Sequence, residues 1–245
     1  MNQARTIGVL LIFLFVFTCF AYADDTSEKK WKDEAEFLYV QTNGNTEVLT
    51  LAFKNMLAYQ FSEHFKGAWN VTALDSKTDG DQTAERYYTD LRLDYLFTEH
   101  WYTYASGSWL KDKFAGFDNR YSFGPGAGYK ILVGPKNFLL AELGLNYAHE
   151  DYVDSDAESF AEGRAFGKYE FAFTEKNRFS LTFEYLQDFS ETDNYKVNSE
   201  AAVISALTDI LSLKVSYVVR YQNRPLPKEL EQTDTVFGAA IVVTY

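Results

Sequence analysis

Between Arg86 and Phe97 the chain reads RYYTDLRLDYLF, and its chemistry changes at every step. Tyr87, Thr89, Leu91, Leu93, Tyr95 and Phe97 are apolar or amphipathic. Arg86, Tyr88, Asp90, Arg92 and Asp94 are polar, and four of these five are charged. Successive strand side chains point to opposite faces, so this period is that of a β-strand with one greasy and one charged face. Residues 211–222 repeat the pattern. Leu211, Leu213, Val215, Tyr217, Val219 and Tyr221 oppose Ser212, Lys214, Ser216, Arg220 and Gln222, and only Val218 interrupts. Segments of about 10 residues that alternate in this way, separated by turns, are the mark of a transmembrane β-barrel.

Twelve such segments can be traced, at residues 31–41, 47–60, 66–74, 84–97, 101–111, 118–133, 137–148, 159–173, 178–189, 195–207, 210–222 and 234–245. The connections alternate in character. Tight turns fall at residues 62–64, 98–100, 134–136, 174–177 and 208–209. Longer, mostly acidic stretches fall at 75–83, 112–117, 149–158, 190–194 and 223–233. Short periplasmic turns and longer extracellular loops are the rule for such barrels, and an even strand count puts both ends on one side. The outer connection at residues 42–46 is the exception, tight and built on an Asn43-Gly44 hairpin step. Phe61, Phe65, Phe97, Trp101, Tyr102 and Phe138 crowd the tight turns, as a periplasmic aromatic belt would. The expected fold is all-β: a closed antiparallel transmembrane barrel of twelve strands. The last segment, with Gly238, Ile241, Val243 and the terminal Tyr245, reads as the signal recognised by barrel-assembly machinery. It must pair with the first strand near Trp31, because an open edge in lipid leaves backbone groups unsatisfied.

The chain opens MNQAR, runs apolar over the 14 residues 7–20 and continues Ala21-Tyr22-Ala23. That describes a cleavable secretory signal over residues 1–23, too short for a spanning helix. A lipoprotein signal at Cys19 is the alternative, but Phe17 and Thr18 suit it poorly. Residues 24–245 then form one domain. Cleavage would remove the single cysteine, and with it any thiol nucleophile or thiolate metal site. The formal charge of −12 would become −13, which argues against nucleic acid.

Chemistry belongs on the inward face, where side chains tune selectivity. Parity puts the bases Lys54, Arg86, Arg92, Arg120, Lys130, Arg164, Lys168, Lys196, Lys214 and Arg220 there. The acids are Glu36, Asp90, Asp94, Glu142, Glu162, Glu170, Glu184, Asp188 and Glu200. Ten bases against nine acids make a nearly neutral interior. Such charges either pair across strands as a polar core or line a narrow aqueous path. Gly124, Gly126 and Gly128 share the inward parity, which suits a strand bend or a pocket. The stretch with Glu150, Asp151, Asp154, Asp156 and Glu158 reads as a solvated acidic outer loop. It could also hold a divalent cation with lipopolysaccharide phosphates, although the spacing of a dedicated calcium loop is missing. No catalytic, metal or cofactor residue is assigned. His64 and His100 fall in periplasmic turns, at the wrong end for an outer-leaflet substrate. His149, with Ser155 and Ser159 nearby, is the one histidine at the outer rim.

Three passages carry a family resemblance: Thr42 to Thr46 with the strand after it, Ala105 to Arg120 leading into Gly124 to Tyr129, and Leu213 to Tyr217 through Asn223-Arg224-Pro225 to Asp234. Together they resemble the salt-induced outer-membrane protein family of Gram-negative bacteria. The resemblance implies a monomeric outer-membrane barrel and a stress-linked setting, and hands over no catalytic residue. The expected function is a non-enzymatic envelope protein, structural or a narrow channel for small solutes or ions, in contact with lipid, lipopolysaccharide and the assembly machinery. The alternatives are a lipid-modifying hydrolase or acyltransferase, and an interaction module acting through the acidic loops.

Overall fold

The computed structural model describes residues 30–42 and 48–245. The expected leader at residues 1–23 and the Asn43-Gly44 step lie outside them. Twelve strands follow in order: β1 (Trp31–Thr42), β2 (Val48–Gln60), β3 (Phe65–Thr78), β4 (Asp81–Leu96), β5 (Trp101–Asp112), β6 (Phe117–Val133), β7 (Asn137–Tyr152), β8 (Glu158–Ala172), β9 (Asn177–Asp188), β10 (Tyr195–Ala206), β11 (Leu211–Gln222) and β12 (Thr233–Thr244). Each strand pairs antiparallel with its neighbour in sequence, and β12 returns to β1 to close the barrel. The closing register runs from Glu34↔Thr244 to Phe37↔Ile241. Below it, the Tyr245 N–H donates to the Asp33 carbonyl at 2.9 Å. Ile241, Val243 and Tyr245 share the outward parity, whereas Gly238 has the inward one and lies against Leu38.

Alternation becomes a division between inside and outside. Leu91 is 63% exposed, Leu143 70% and Phe237 75%, while Glu142, Glu162 and Lys214 on the inner face are buried. This inverts the arrangement of a water-soluble protein, and an apolar exterior of this extent requires hydrocarbon around it.

Four tight turns repeat one local device. In Phe61-Ser-Glu-His-Phe65, Phe97-Thr-Glu-His-Trp101, Phe173-Thr-Glu-Lys-Asn177 and Leu207-Thr-Asp-Ile-Leu211, the first residue's N–H donates to the fifth residue's carbonyl at 2.8–3.0 Å. The Ser or Thr hydroxyl accepts from N–H groups at the far side of the turn, as Thr98 Oγ1 does from Trp101 at 2.9 Å and Thr208 Oγ1 from Leu211 at 3.0 Å. A short hydroxyl side chain thus satisfies amides that the ladder leaves over.

At the opposite end the strands run past the expected boundaries. β3 and β4 consume most of residues 75–83 and are joined by Asp79-Gly80, both at positive φ (52° and 90°). Two positive-φ residues fit the right-handed twist of a hairpin, and Asp-Gly supplies them at little cost. Alternation fades here because both faces meet water, yet pairing continues. Exposed Phe61, Phe97, Trp101 and Phe173 ring the short-turn end, and exposed Tyr121 and Tyr147 lie toward the other. Tyr102 departs from the expected belt: it is 5% exposed and points into the lumen.

Candidate functional site

The lumen is crossed by ion pairs in which the predicted inward residues meet. Toward the short-turn end, Arg92 of β4 reaches Glu142 of β7 through both terminal nitrogens, at 2.7 and 3.1 Å. The same carboxylate accepts from Arg164 at 2.8 Å and from the Tyr102 hydroxyl at 2.7 Å. Arg92 also binds Asp94 at 2.8 Å, Arg164 binds Glu184 at 2.7 Å, and the Arg92 guanidinium lies 4.0 Å from the centre of the Tyr104 ring. Planar guanidinium groups suit such forked contacts. On the facing wall Lys214 bridges Glu36 (2.7 Å) and Glu200 (2.6 Å), with Lys54 at 3.8 Å from both acids. Lys168 and Glu170 pair with each other at 2.9 Å, Arg86 pairs with Asp112 at 2.7 Å, and Asp90 accepts from Asn70 at 3.1 Å.

The outer layer corrects one expectation. Glu150 is not part of a solvated loop. β7 continues to Tyr152, and this places the carboxylate inside the barrel at 0% exposure. There it accepts from Arg120 (2.6 Å), Lys196 (2.7 Å) and the Tyr152 hydroxyl (2.5 Å), while Arg120 also holds Glu162 at 2.5 Å. Glu158 opens β8, and Asp151 lies on the outer wall; of the five acids only Asp154 and Asp156 occupy the connecting loop. Asp188, expected on the inner face, is buried and accepts from the Ser190 and Glu191 amides and from the Asn194 side chain.

The inward glycines do two different things: Gly124 lets β6 approach the backbone of Leu145 and Asn146 where the ladder is interrupted, and the other two make room for rings. A Cβ at Gly126 would overlap the Tyr104 ring, and one at Gly128 the Tyr102 ring. The bare strip of β6 is the bed on which two β5 tyrosines lie flat, carrying their hydroxyls to Glu142 and Arg164.

Between these layers lies a polar cavity of about 500 Å³ lined by Lys54, Arg86, Asp90, Arg92, Arg120, Arg164, Glu184 and Arg220 among others. Unlike Arg86, Arg92, Arg120 and Arg164, Arg220 has no carboxylate at ion-pair distance among the described residues. The cavity is covered in part by residues 223–232, which fold inward. Leu226 packs against Leu110, Phe117 and Tyr152, and Pro225 is buried. Gly116, at φ 89°, leaves room for the Leu226 carbonyl, which a Cβ there would strike. The sequence signal for this cover is the run Pro225-Leu226-Pro227 with Leu230, apolar residues in an otherwise polar connection.

The family described as "Protein of unknown function, DUF481" matches residues 35–245. The chain belongs to that family. It is 25% identical over 217 residues to the uncharacterized protein YdiY of Escherichia coli (strain K12), covering 88% of this chain and 84% of that protein. The resemblance carried by residues 42–46, 105–129 and 213–234 is therefore borne out as a family relationship. Among solved structures, an outer membrane channel from Pseudomonas putida F1 has a TM-score of 0.55 at 11% identity, over 91% of this chain and 100% of that one. The translocator domain of the autotransporter NalP from Neisseria meningitidis has a TM-score of 0.50 at 13% identity, over 99% and 95%. At such identities the likeness is one of fold.

The histidines separate by position. His100 Nδ1 bonds the Lys130 carbonyl at 2.7 Å and His64 stacks on Tyr95, so both serve the short-turn end. His149 sits on the outer wall between Ser159, which the sequence placed near it, and Asp151, which it did not: Nδ1 lies 2.7 Å from Ser159 Oγ, and Nε2 3.2 Å from Asp151. Register explains the contact, since His149 and Ser159 are directly opposed across β7 and β8.

Proposed function

We propose that the chain is an outer-membrane barrel that passes ions or small solutes slowly, through a lumen kept narrow by its own ion pairs. The observation that carries this reading is the charged cavity of about 500 Å³ bounded by the Arg92–Glu142–Arg164 layer, with Arg220 on its wall unpaired. A purely structural core would pair every charge, because an unpaired buried ion is costly. The apolar exterior, the secretory leader expected at residues 1–23 and the fold shared with an outer membrane channel support the location. In this reading the short turns face the periplasm, and the barrel works as a monomer among lipid and lipopolysaccharide after insertion by the assembly machinery. The lumen is a path and not a reaction chamber. Raised ionic strength screens the water-exposed charges on the cavity wall far more than the buried pairs, which gives a salt-linked role a physical basis.

Purified barrel in planar bilayers should show small conductance with a preference for anions, and Arg220→Glu should move the reversal potential toward cations. Correctly folded protein that leaves the bilayer silent, with and without the substitution, would refute the channel.

A further inference from the structure

We propose that Ser159, His149 and Asp151 form a hydrolytic site on the outside of the barrel, directed at acyl esters of lipids in the outer leaflet. The reading is independent of the lumen. His149 and Asp151 are two residues apart on β7 and therefore share its outward face, and Ser159 stands opposite His149 on β8. Asp151 Oδ1 lies 3.2 Å from Nε2, and in the tautomer that carries its proton there Nδ1 is the base 2.7 Å from Ser159 Oγ. A nucleophile within hydrogen-bond reach of a base, with that base oriented by a third group, is the arrangement acyl transfer requires. Which ring nitrogen faces which partner is reversed relative to the serine protease triad, and either nitrogen can accept the proton.

Position names the substrate. Going outward along β7, the outward-facing row reads Leu143, Leu145 and Tyr147, all exposed, and then half-buried His149. The apolar wall ends at an aromatic, where hydrocarbon gives way to headgroups, and the site begins one step beyond. Tyr121 stacks on His149 with ring centres 6.5 Å apart, holding the imidazole at that level. An acyl chain lying along the leucines would bring its ester carbonyl to Ser159. The His149 and Asp151 side chains are 38% and 37% exposed, so water reaches the site as well.

The reaction balances without another reactant. Ser159 Oγ attacks the carbonyl carbon as its proton passes to His149 Nδ1. The ester C–O bond breaks, and the departing alcohol takes that proton. Water, deprotonated by His149, then attacks the acyl-serine, releasing the fatty acid and restoring the hydroxyl. Ser159 and His149 are the catalytic residues, and Asp151 is a positioning residue.

The test uses the full barrel in detergent and in lipid vesicles, with folding judged by heat-modifiable migration. A fluorophosphonate probe should label the wild type at Ser159, label Ser155→Ala equally, and fail on Ser159→Ala. Turnover of p-nitrophenyl esters should favour long acyl chains and fall at least about a hundredfold in His149→Asn. Asp151→Asn should lower kcat with KM unchanged, and Asp151→Glu should recover part of it. Folded wild type that neither reacts with the probe nor hydrolyses any ester would overturn the proposal, as would labelling that survives Ser159→Ala. Equal rates for short and long esters would overturn the lipid assignment.

Discussion

Replacing Glu150 by leucine tests whether the outer ionic layer is dry. The carboxylate is the common acceptor of Arg120, Lys196 and Tyr152 at 2.5–2.7 Å and is itself 0% exposed. Its removal leaves the two cations differently placed. Arg120 retains Glu162 at 2.5 Å, whereas among the described residues the Lys196 ammonium is left with the Phe117 and Phe160 rings, each 5.6 Å away. Stranding one buried ion by deleting its partner costs about 3–5 kcal/mol. Glu150→Gln keeps the shape and one acceptor oxygen, so its cost should be about 1–3 kcal/mol. If water fills this level, the pair is worth no more than a surface bridge, at most about 1 kcal/mol. The assay is urea unfolding of barrel folded in vesicles. Lys196→Leu should cost less than Glu150→Leu, because Glu150 keeps Arg120 and Tyr152. The double variant should be more stable than Glu150→Leu alone, since no stranded ammonium remains. Strictly additive losses, or a Glu150→Leu cost below about 0.5 kcal/mol, would refute the buried layer.

The remaining predictions test the lumen wall, its cover and the two functional readings. Gly126→Ala should destabilise by about 1–3 kcal/mol through overlap with the Tyr104 ring, and by less in a Tyr104→Ala background; equal losses in both would mean the ring lies elsewhere. Leu226→Asp should free residues 223–232 from Leu110, Phe117 and Tyr152, raising bilayer conductance and exposing the segment to protease. No change in either would place the barrier elsewhere. The reversal-potential shift of Arg220→Glu and the loss of probe labelling in Ser159→Ala complete the set.

The fold was legible because a barrel writes its geometry at period two. In β4 the residues of odd number from Tyr87 to Tyr95 face lipid, and Arg86, Asp90, Arg92 and Asp94 face the lumen, as parity requires. The signal fails where its cause fails. Beyond the hydrocarbon both faces meet water, so selection for alternation lapses, and Asp75 to Thr78 read as loop although β3 runs through them. Tyr102 misled for a different reason: an aromatic beside a tight turn suits a girdle, and only the bare strip of Gly126 and Gly128 on the next strand gives its ring somewhere to lie inside.

Parity states which face a side chain occupies, but says nothing about which partner it meets. That second fact comes from register, and register is set by where a hairpin turns. With a loop at 149–158, His149 has no opposite number and Glu150 belongs to solvent. With the turn confined to residues 153–157, the hairpin brings His149 opposite Ser159 and carries Glu150 inside. A shift of a few residues in one strand end therefore creates both the ionic layer and the nucleophile pair. The inward charges show the same limit, since composition established that they nearly balance but not that Arg92 would reach past β5 and β6 to Glu142 while Arg220 had no ion-pair partner among the described residues. On the Glu142 side Tyr102 and Tyr104 fill the space beside the ion pairs, Tyr102 donating to Glu142 and Tyr104 accepting from Arg164, while Arg220 lies on the wall of the open cavity.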